Sequence, residues 1–214
     1  MPAGWKVFDR GNDYLRSRGI TNEEARRYRF GGTKLLSSLR NYVTVPIMDC
    51  NKTCGYISRY ANKHVPDGVL RYNNSRGTDF AKLLFGYDDI IMDRTQTVII
   101  VEGVFDKIAV DRVLRLWWCC EVKCVATFGK KISDTQIYKL TLKHVRNVVL
   151  LYDIDAIKEI RKYAEVLNGY FNTTVTFTQK KDIDECTEEE ALQVFRHTQK
   201  PAEFNQNVIT KLKR

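Results

Sequence analysis

Val98-Ile99-Ile100-Val101-Glu102-Gly103-Val104-Phe105-Asp106 is the stretch on which the reading of this chain turns. Four β-branched residues in a row, bounded by polar ones, predict a strand buried on both faces. The run ends in a carboxylate and then changes to a helical pattern. Val148-Val149-Leu150-Leu151-Tyr152-Asp153-Ile154-Asp155 repeats the arrangement. In open parallel sheets, ligands gather at the carboxyl ends of the strands. Glu102, Asp153 and Asp155 are therefore predicted at one sheet edge. Carboxylates brought together repel one another, and a divalent cation relieves them.

The flanking pattern agrees. A strand at 98–102 leads to a helix over about 104–116, and a strand at 121–127 ends in Phe128-Gly129. Ser133-Asp134-Thr135-Gln136 has capping-box spacing and opens the next helix. A strand at 146–152, a helix over about 156–169 and a strand at 173–178 follow. After a loop at 180–185, Thr187-Glu188-Glu189-Glu190 caps a last helix. Strands alternating with helices imply a parallel sheet with helices on both faces.

Upstream the period differs. Residues 9–18 predict a short helix stopped by Gly19, and Thr21-Asn22-Glu23-Glu24 caps a second through about Tyr28. Tyr42–Ile47 and Thr53–Tyr60 form a hairpin around Asp49-Cys50-Asn51-Lys52. Residues 62–79 read as loop, and 79–86 as one or two helical turns. The expected division is a basic α+β subdomain over 1–96, the parallel domain over 97–200 and a basic tail over 201–214.

A hydrophobic content of 43% with 29% charged residues belongs to a folded globular chain rather than a disordered one. No apolar run approaches the roughly 20 residues that span a bilayer, and Met-Pro-Ala-Gly-Trp-Lys is no signal peptide. The expectation is a cytoplasmic protein with no membrane partner. The net charge of +9 is an electrostatic footprint compatible with a nucleic-acid partner, the alternative being a solvated basic surface. It is uneven: residues 1–96 hold 16 Lys/Arg against 10 Asp/Glu, and residues 97–214 hold 19 against 16. The cysteines at 50, 54, 119, 120, 124 and 186 form no CxxC, so they read as reduced, buried thiols rather than zinc ligands. Trp117-Trp118 reads as core, and His64, His144 and His197 show no partner spacing.

Glu102-Gly103-x-x-Asp106 followed by Asp153-x-Asp155 resembles the TOPRIM domain of topoisomerases, bacterial-type primases and several nucleases. Gly129 with Ser133 and Gln136, and Lys181-Asp182-Ile183-Asp184-Glu185, resemble primase segments. So do Tyr14-Leu15-x3-Gly19-Ile20, Val45-Pro46-Ile47-Met48-Asp49, Gly55-Tyr56-Ile57-Ser58-Arg59, Arg71-Tyr72-Asn73-Asn74-Ser75 and Leu84-Phe85-Gly86. In their order and spacing these resemble the DnaG-type primase catalytic core, of the sort carried by a phage or mobile element. The localisation is then the host cytoplasm.

The resemblance implies a four-stranded parallel TOPRIM sheet flanked by helices, behind a smaller α+β N-terminal subdomain. It implies a DNA-directed RNA polymerase that makes short RNA primers on a single-stranded DNA template from NTPs. Glu102, Asp153 and Asp155 would be catalytic, and with Asp182 and Asp184 they would hold Mg²⁺ or Mn²⁺. Asp106 is a weaker ligand. Arg59, Arg71, Arg76 and Lys82 would contact template or nucleotide phosphates. A replicative helicase and a separate zinc-binding template-recognition protein are the implied partners. Two departures stand out. The family's Asp-Gly-Asp-x-Ala-Gly is here Asp153-Ile154-Asp155-Ala156-Ile157-Lys158, a stiffer backbone beside the metals. The family's basic residue before Leu-Tyr-Gly falls on Phe80, with Lys82 two positions on. The alternatives are a TOPRIM nuclease, which lacks the 42–86 segment, and a non-catalytic nucleic-acid-binding module.

Overall fold

The computed structural model describes residues 1–9, 12–62, 64–178 and 182–205. The expected first helix therefore falls partly outside the described residues at 10 and 11. So do Lys181 and the tail from 206. The chain divides into two units, Met1–Asp79 and Phe80–Arg214.

The first unit is an antiparallel sheet in the order β1-β2-β3-β4, with two short helices. Its strands are β1 (Lys6–Val7), β2 (Gly31–Gly32), β3 (Tyr42–Asp49) and β4 (Lys52–Tyr60). Helix α1 (Asp13–Ser17) starts where the Asn12 side chain accepts from the Leu15 N–H at 3.1 Å. Helix α2 (Asn22–Arg27) carries the capping box read from Thr21 and Glu24. The hairpin turn places Cys50 and Asn51 at φ 51° and 60°. Both central residues are left-handed, as a two-residue turn between twisted strands requires. The edge pieces β1 and β2 carry too few residues to show periodicity. Gly31 sits where a Cβ would lie 2.1 Å from the Lys6 carbonyl oxygen, so only glycine permits that pairing.

The second unit is the parallel sheet expected from the sequence, in the order β6-β5-β7-β8. Its elements are β5 (Thr97–Val101), α3 (Val104–Val113), β6 (Val122–Ala126), α4 (Asp134–Leu142), β7 (Asn147–Asp153), α5 (Ile157–Asn168), β8 (Asn172–Thr178) and α6 (Glu188–Arg196). The inner strands β5 and β7 are the two apolar runs, with Val98, Ile100, Val148 and Leu150 fully buried. Burial of each such side chain stabilises the fold by about 1.5–3 kcal/mol.

Three details depart from the sequence reading. Residues 80–96 lie in the second unit: Leu84, Tyr87 and Ile90 enter its core, and Phe85 pairs with Ala126 through two 3.0 Å backbone hydrogen bonds. The buried Gln136 reinforces this by donating to the Leu83 carbonyl at 2.8 Å. Helix α3 ends early, because Arg115 turns left-handed at φ 52°, and Trp118 is left 81% exposed rather than in the core. Of the six cysteines only Cys124 is buried; Cys50 and Cys54 are exposed. Among the described residues, no group that could hold a metal includes a cysteine. No helix there is long and apolar enough to cross a membrane.

Candidate metal centre

Register decides what meets at the sheet edge. Strands β5 and β6 pair from Thr97↔Val122 to Val101↔Ala126, so Glu102 follows the last paired residue of β5. Strand β7 runs further, to Asp153↔Thr178 against β8. Ligand atoms of Glu102, Asp153 and Asp155 consequently lie within 4.8 Å of one another. These are the three carboxylates picked out from the sequence.

Each carboxylate is placed by a short local structure. Gly103 caps α3, and its N–H donates to Asp106 Oδ2 at 2.9 Å. Asp106 is thereby committed to closing the helix start. Thr178 Oγ1 donates to Asp153 Oδ1 at 2.9 Å, across the register pair that ends the sheet. Asp155 lies in a 3₁₀ turn over Ile154–Ala156 that leads into α5. Asp153 has φ −68°, Ala156 −91° and Ile157 −56°. No residue of this turn has a positive φ, so the turn makes no steric demand for the family's glycine.

The electrostatics are those of crowded acids. Glu102 is pushed up to about 7, first by burial and then by Asp153, Asp155 and Asp182, with Lys130 opposing. Asp153 rises to about 6, again chiefly by burial, with Asp182 and Asp155 adding to it. Asp106 rises to about 7 through burial and then Asp184, Asp153 and Asp182. Oε1 of Glu102 is buried with no hydrogen-bond partner among the described residues. A buried oxygen left unpaired inside an acidic cluster fits a hard cation supplied from outside.

Asp182 and Asp184 are gathered into a second cluster, with Glu185 as its third member. Their charge reaches Asp153 and Asp106, as the raised values show. Glu185 was not singled out from the sequence. Nor was Lys130, whose Nζ lies 2.9 Å from Asp155 Oδ2. Its loop is shaped by Phe128 at φ 65° and Gly129 at φ 142°, a conformation that suits glycine. The Gly129 N–H donates to the Glu102 carbonyl at 3.1 Å, which brings the loop back to the acids. The legible signal was Gly129-Lys130-Lys131 directly after a strand that ends beside carboxylates.

The basic candidates are distributed differently. Arg59 donates to Tyr72 Oη at 2.9 Å and lies over its ring. Arg71 and Arg76 are exposed in the loop that follows β4. These three belong to the first unit, whereas Lys82, exposed in a 3₁₀ turn, belongs to the second.

The sequence profile of the Toprim-like family matches residues 99–187, the stretch that holds the acidic edge and most of the parallel sheet. This segment is similar to Toprim-like domains. The chain also shares its fold with primase structures of bacteriophage T7. The primase fragment of the T7 primase-helicase protein matches with a TM-score of 0.62 and 18% identity, over 92% of this chain and 78% of that one. T7 primase domains bound to an RNA/DNA hybrid and dTTP, in a complex with the lagging-strand DNA polymerase, match with a TM-score of 0.60 and 18% identity. That match covers 85% of this chain and 89% of the other. No curated protein sequence matches the chain. The fold is thus that of a DnaG-type primase core with its TOPRIM sheet.

Proposed function

We propose that the chain is the catalytic core of a primase, making short RNA primers on single-stranded DNA. The observation that carries this reading is the convergence of Glu102, Asp153 and Asp155 at the carboxyl edge of a Toprim-like sheet, within a primase-like fold. Primer synthesis joins a 3′-hydroxyl to the α-phosphate of a nucleotide and releases pyrophosphate. A Mg²⁺ or Mn²⁺ ion held by these three, with Asp182 and Asp184 nearby, would supply charge neutralisation at the phosphates.

The chain's own groups do the rest. Glu102, at the end of β5, would act either as a ligand to that ion or as the base that takes the proton of the attacking hydroxyl. Thr178 fixes one oxygen of Asp153 by a hydrogen bond. Lys130 offers a positive charge for a nucleotide phosphate. Arg59, Arg71, Arg76 and Lys82 are assigned to phosphates of template or nucleotide, an electrostatic role that needs no base reading. A helicase and a zinc-binding template-recognition protein are the partners this reading calls for, within a cytoplasm.

The test is incubation with single-stranded DNA, all four NTPs and Mn²⁺, with products resolved on a gel. Oligoribonucleotides should form de novo, and Glu102→Gln should abolish them. Cleavage of the template without NTP incorporation would instead establish a TOPRIM nuclease. Binding with neither reaction would establish a non-catalytic module.

A further inference from the structure

Strand β5 runs out of paired neighbours where Glu102 leaves it. Its last pair with β7 is Ile100↔Leu150, and its last with β6 is Val101↔Ala126. Beyond that point Glu102 is held by the turn that follows β6. The Thr127 N–H donates to the Val101 carbonyl at 3.1 Å, and the Gly129 N–H donates to the Glu102 carbonyl at 3.1 Å. The peptide units on both sides of the Glu102 Cα are thus pinned. With its two backbone dihedrals fixed, the direction in which the side chain leaves the strand is fixed too.

One buried hydroxyl shapes this turn. Thr127 Oγ1 lies 2.8 Å from the Gly129 carbonyl oxygen and 3.1 Å from that of Val101. It also lies 3.1 Å from the Tyr152 hydroxyl. Carbonyl oxygens only accept, so the single Thr127 proton is shared between them, and the Tyr152 O–H donates to Thr127. Both residues are buried, and Thr127 is the one hydrogen-bond partner of the Tyr152 hydroxyl among the described residues. Tyr152 stands on β7 immediately before Asp153, and β5 lies between β7 and β6 in the sheet. The phenol therefore reaches across β5 and ties the end of β7 to the end of β6. The turn needs such a brace, because Phe128 sits at φ 65°. A bulky residue rarely adopts that region and persists there only where its surroundings hold it.

We infer that Thr127 and Tyr152 are positioning residues for the acidic edge: the Thr127 hydroxyl, oriented by Tyr152, shapes the turn that aims the Glu102 carboxylate at Asp153 and Asp155. The inference rests on the reading of that edge as a divalent-cation site. Neither residue is a ligand, and both act through the backbone of Glu102. Without the brace, Glu102 samples several directions, and affinity for the ion falls by the fraction of time spent in the productive one. Groups that orient metal ligands change affinity by about 10- to 100-fold. A group acting through the backbone belongs at the lower end.

The test uses the full chain, Mn²⁺ calorimetry at pH 8 and thermal melts without metal. Titration in 0.5 M NaCl screens the Lys130–Asp155 contact, so that a shift of Lys130 with the turn does not offset the loss. Thr127→Val, nearly isosteric, should weaken Mn²⁺ binding about ten-fold. It should also lower Tm, because the Tyr152 hydroxyl is left buried without a partner. Thr127→Ser keeps the hydroxyl and should bind Mn²⁺ as the wild type does. Thr127→Val/Tyr152→Phe removes both polar partners, so most of the Tm should return, while Mn²⁺ binding stays about ten-fold weak. Should Thr127→Val fail to fold, the double variant and Thr127→Ser carry the comparison. Affinity that recovers along with Tm in the double variant marks a merely structural pair and overturns the positioning role. So does a Thr127→Val that binds as the wild type, or a Thr127→Ser as weak as Thr127→Val. Each of these leaves the metal centre in place, whereas a wild type that binds no Mn²⁺ overturns the centre and the positioning role together.

Discussion

Replacing Lys130 with methionine removes the cation that sits 2.9 Å from Asp155. A divalent ion and an ammonium group beside the same oxygen repel each other, so metal binding is expected to push Lys130 aside. The side chains of the pair are 38% and 72% exposed, so the contact lies in a highly screened setting. Pairs of this kind are worth about 0.2–1 kcal/mol. At about 1.4 kcal/mol per decade, the variant should bind Mn²⁺ about 1.4- to 5-fold more tightly. Were the ammonium to stay about 4 Å from the ion, repulsion in water would cost about 2 kcal/mol. A flexible lysine swings away and avoids that, so the smaller range applies. Lys130 also holds Glu102 down, and without it Glu102 protonates more readily. The titration therefore belongs at pH 8, where that competition is weak. Calorimetry with Mn²⁺ at low salt should show the gain, and 0.5 M NaCl should erase most of it. Lys131→Met is the control with no expected effect. Unchanged or weaker Mn²⁺ affinity in Lys130→Met would refute the competition, and weaker binding would mean that Lys130 helps to build the site.

Millimolar Mn²⁺ or Mg²⁺ should raise the melting temperature of the wild type by mass action, and Asp153→Asn/Asp155→Asn should lose that rise; an equal rise in the double variant would remove the metal centre. Glu102 and Asp153 titrate in the fold near 7 and 6, above their ordinary values of 4.5 and 3.8. The folded chain therefore binds protons that the unfolded chain has released, and metal-free stability should fall as pH rises from about 4 to 7. Mn²⁺ affinity should climb through the upper part of that window as the carboxylates lose their protons; calorimetry at pH 5.5 and 8 with equal affinities would contradict it. Lys107, 1% exposed, pairs with Asp111 at 2.5 Å and Asp89 at 2.7 Å. Lys107→Met takes the cation away from the buried Asp111 and should cost about 3–5 kcal/mol in denaturant melts, most of which Lys107→Met/Asp111→Leu should recover; no recovery would mean that the loss is one of packing.

The parallel sheet and its acidic edge were legible in the residues alone. Runs such as 98–101 and 148–152 are too uniformly apolar to be anything but strands buried on both faces, and the carboxylates directly after them must emerge where those strands end. Capping boxes at Thr21, Ser133 and Thr187 were equally readable, because a cap is a local bargain between residues three apart. Other features rest on contacts between residues far apart in the chain, which no local pattern records. Residues 80–96 join the second unit because Leu84, Tyr87 and Ile90 meet Val98, Val125 and Leu140 in three dimensions. Trp118 is exposed because one left-handed residue, Arg115, ends the helix before the pair. Register sets the spacing of the carboxylates, and the backbone path through Phe128 and Gly129 brings Lys130 to Asp155. Sequence determined which groups reach the edge; only the tertiary structure decided which of them touch, since distances within a cluster are set by strand register and loop curvature rather than by residue type.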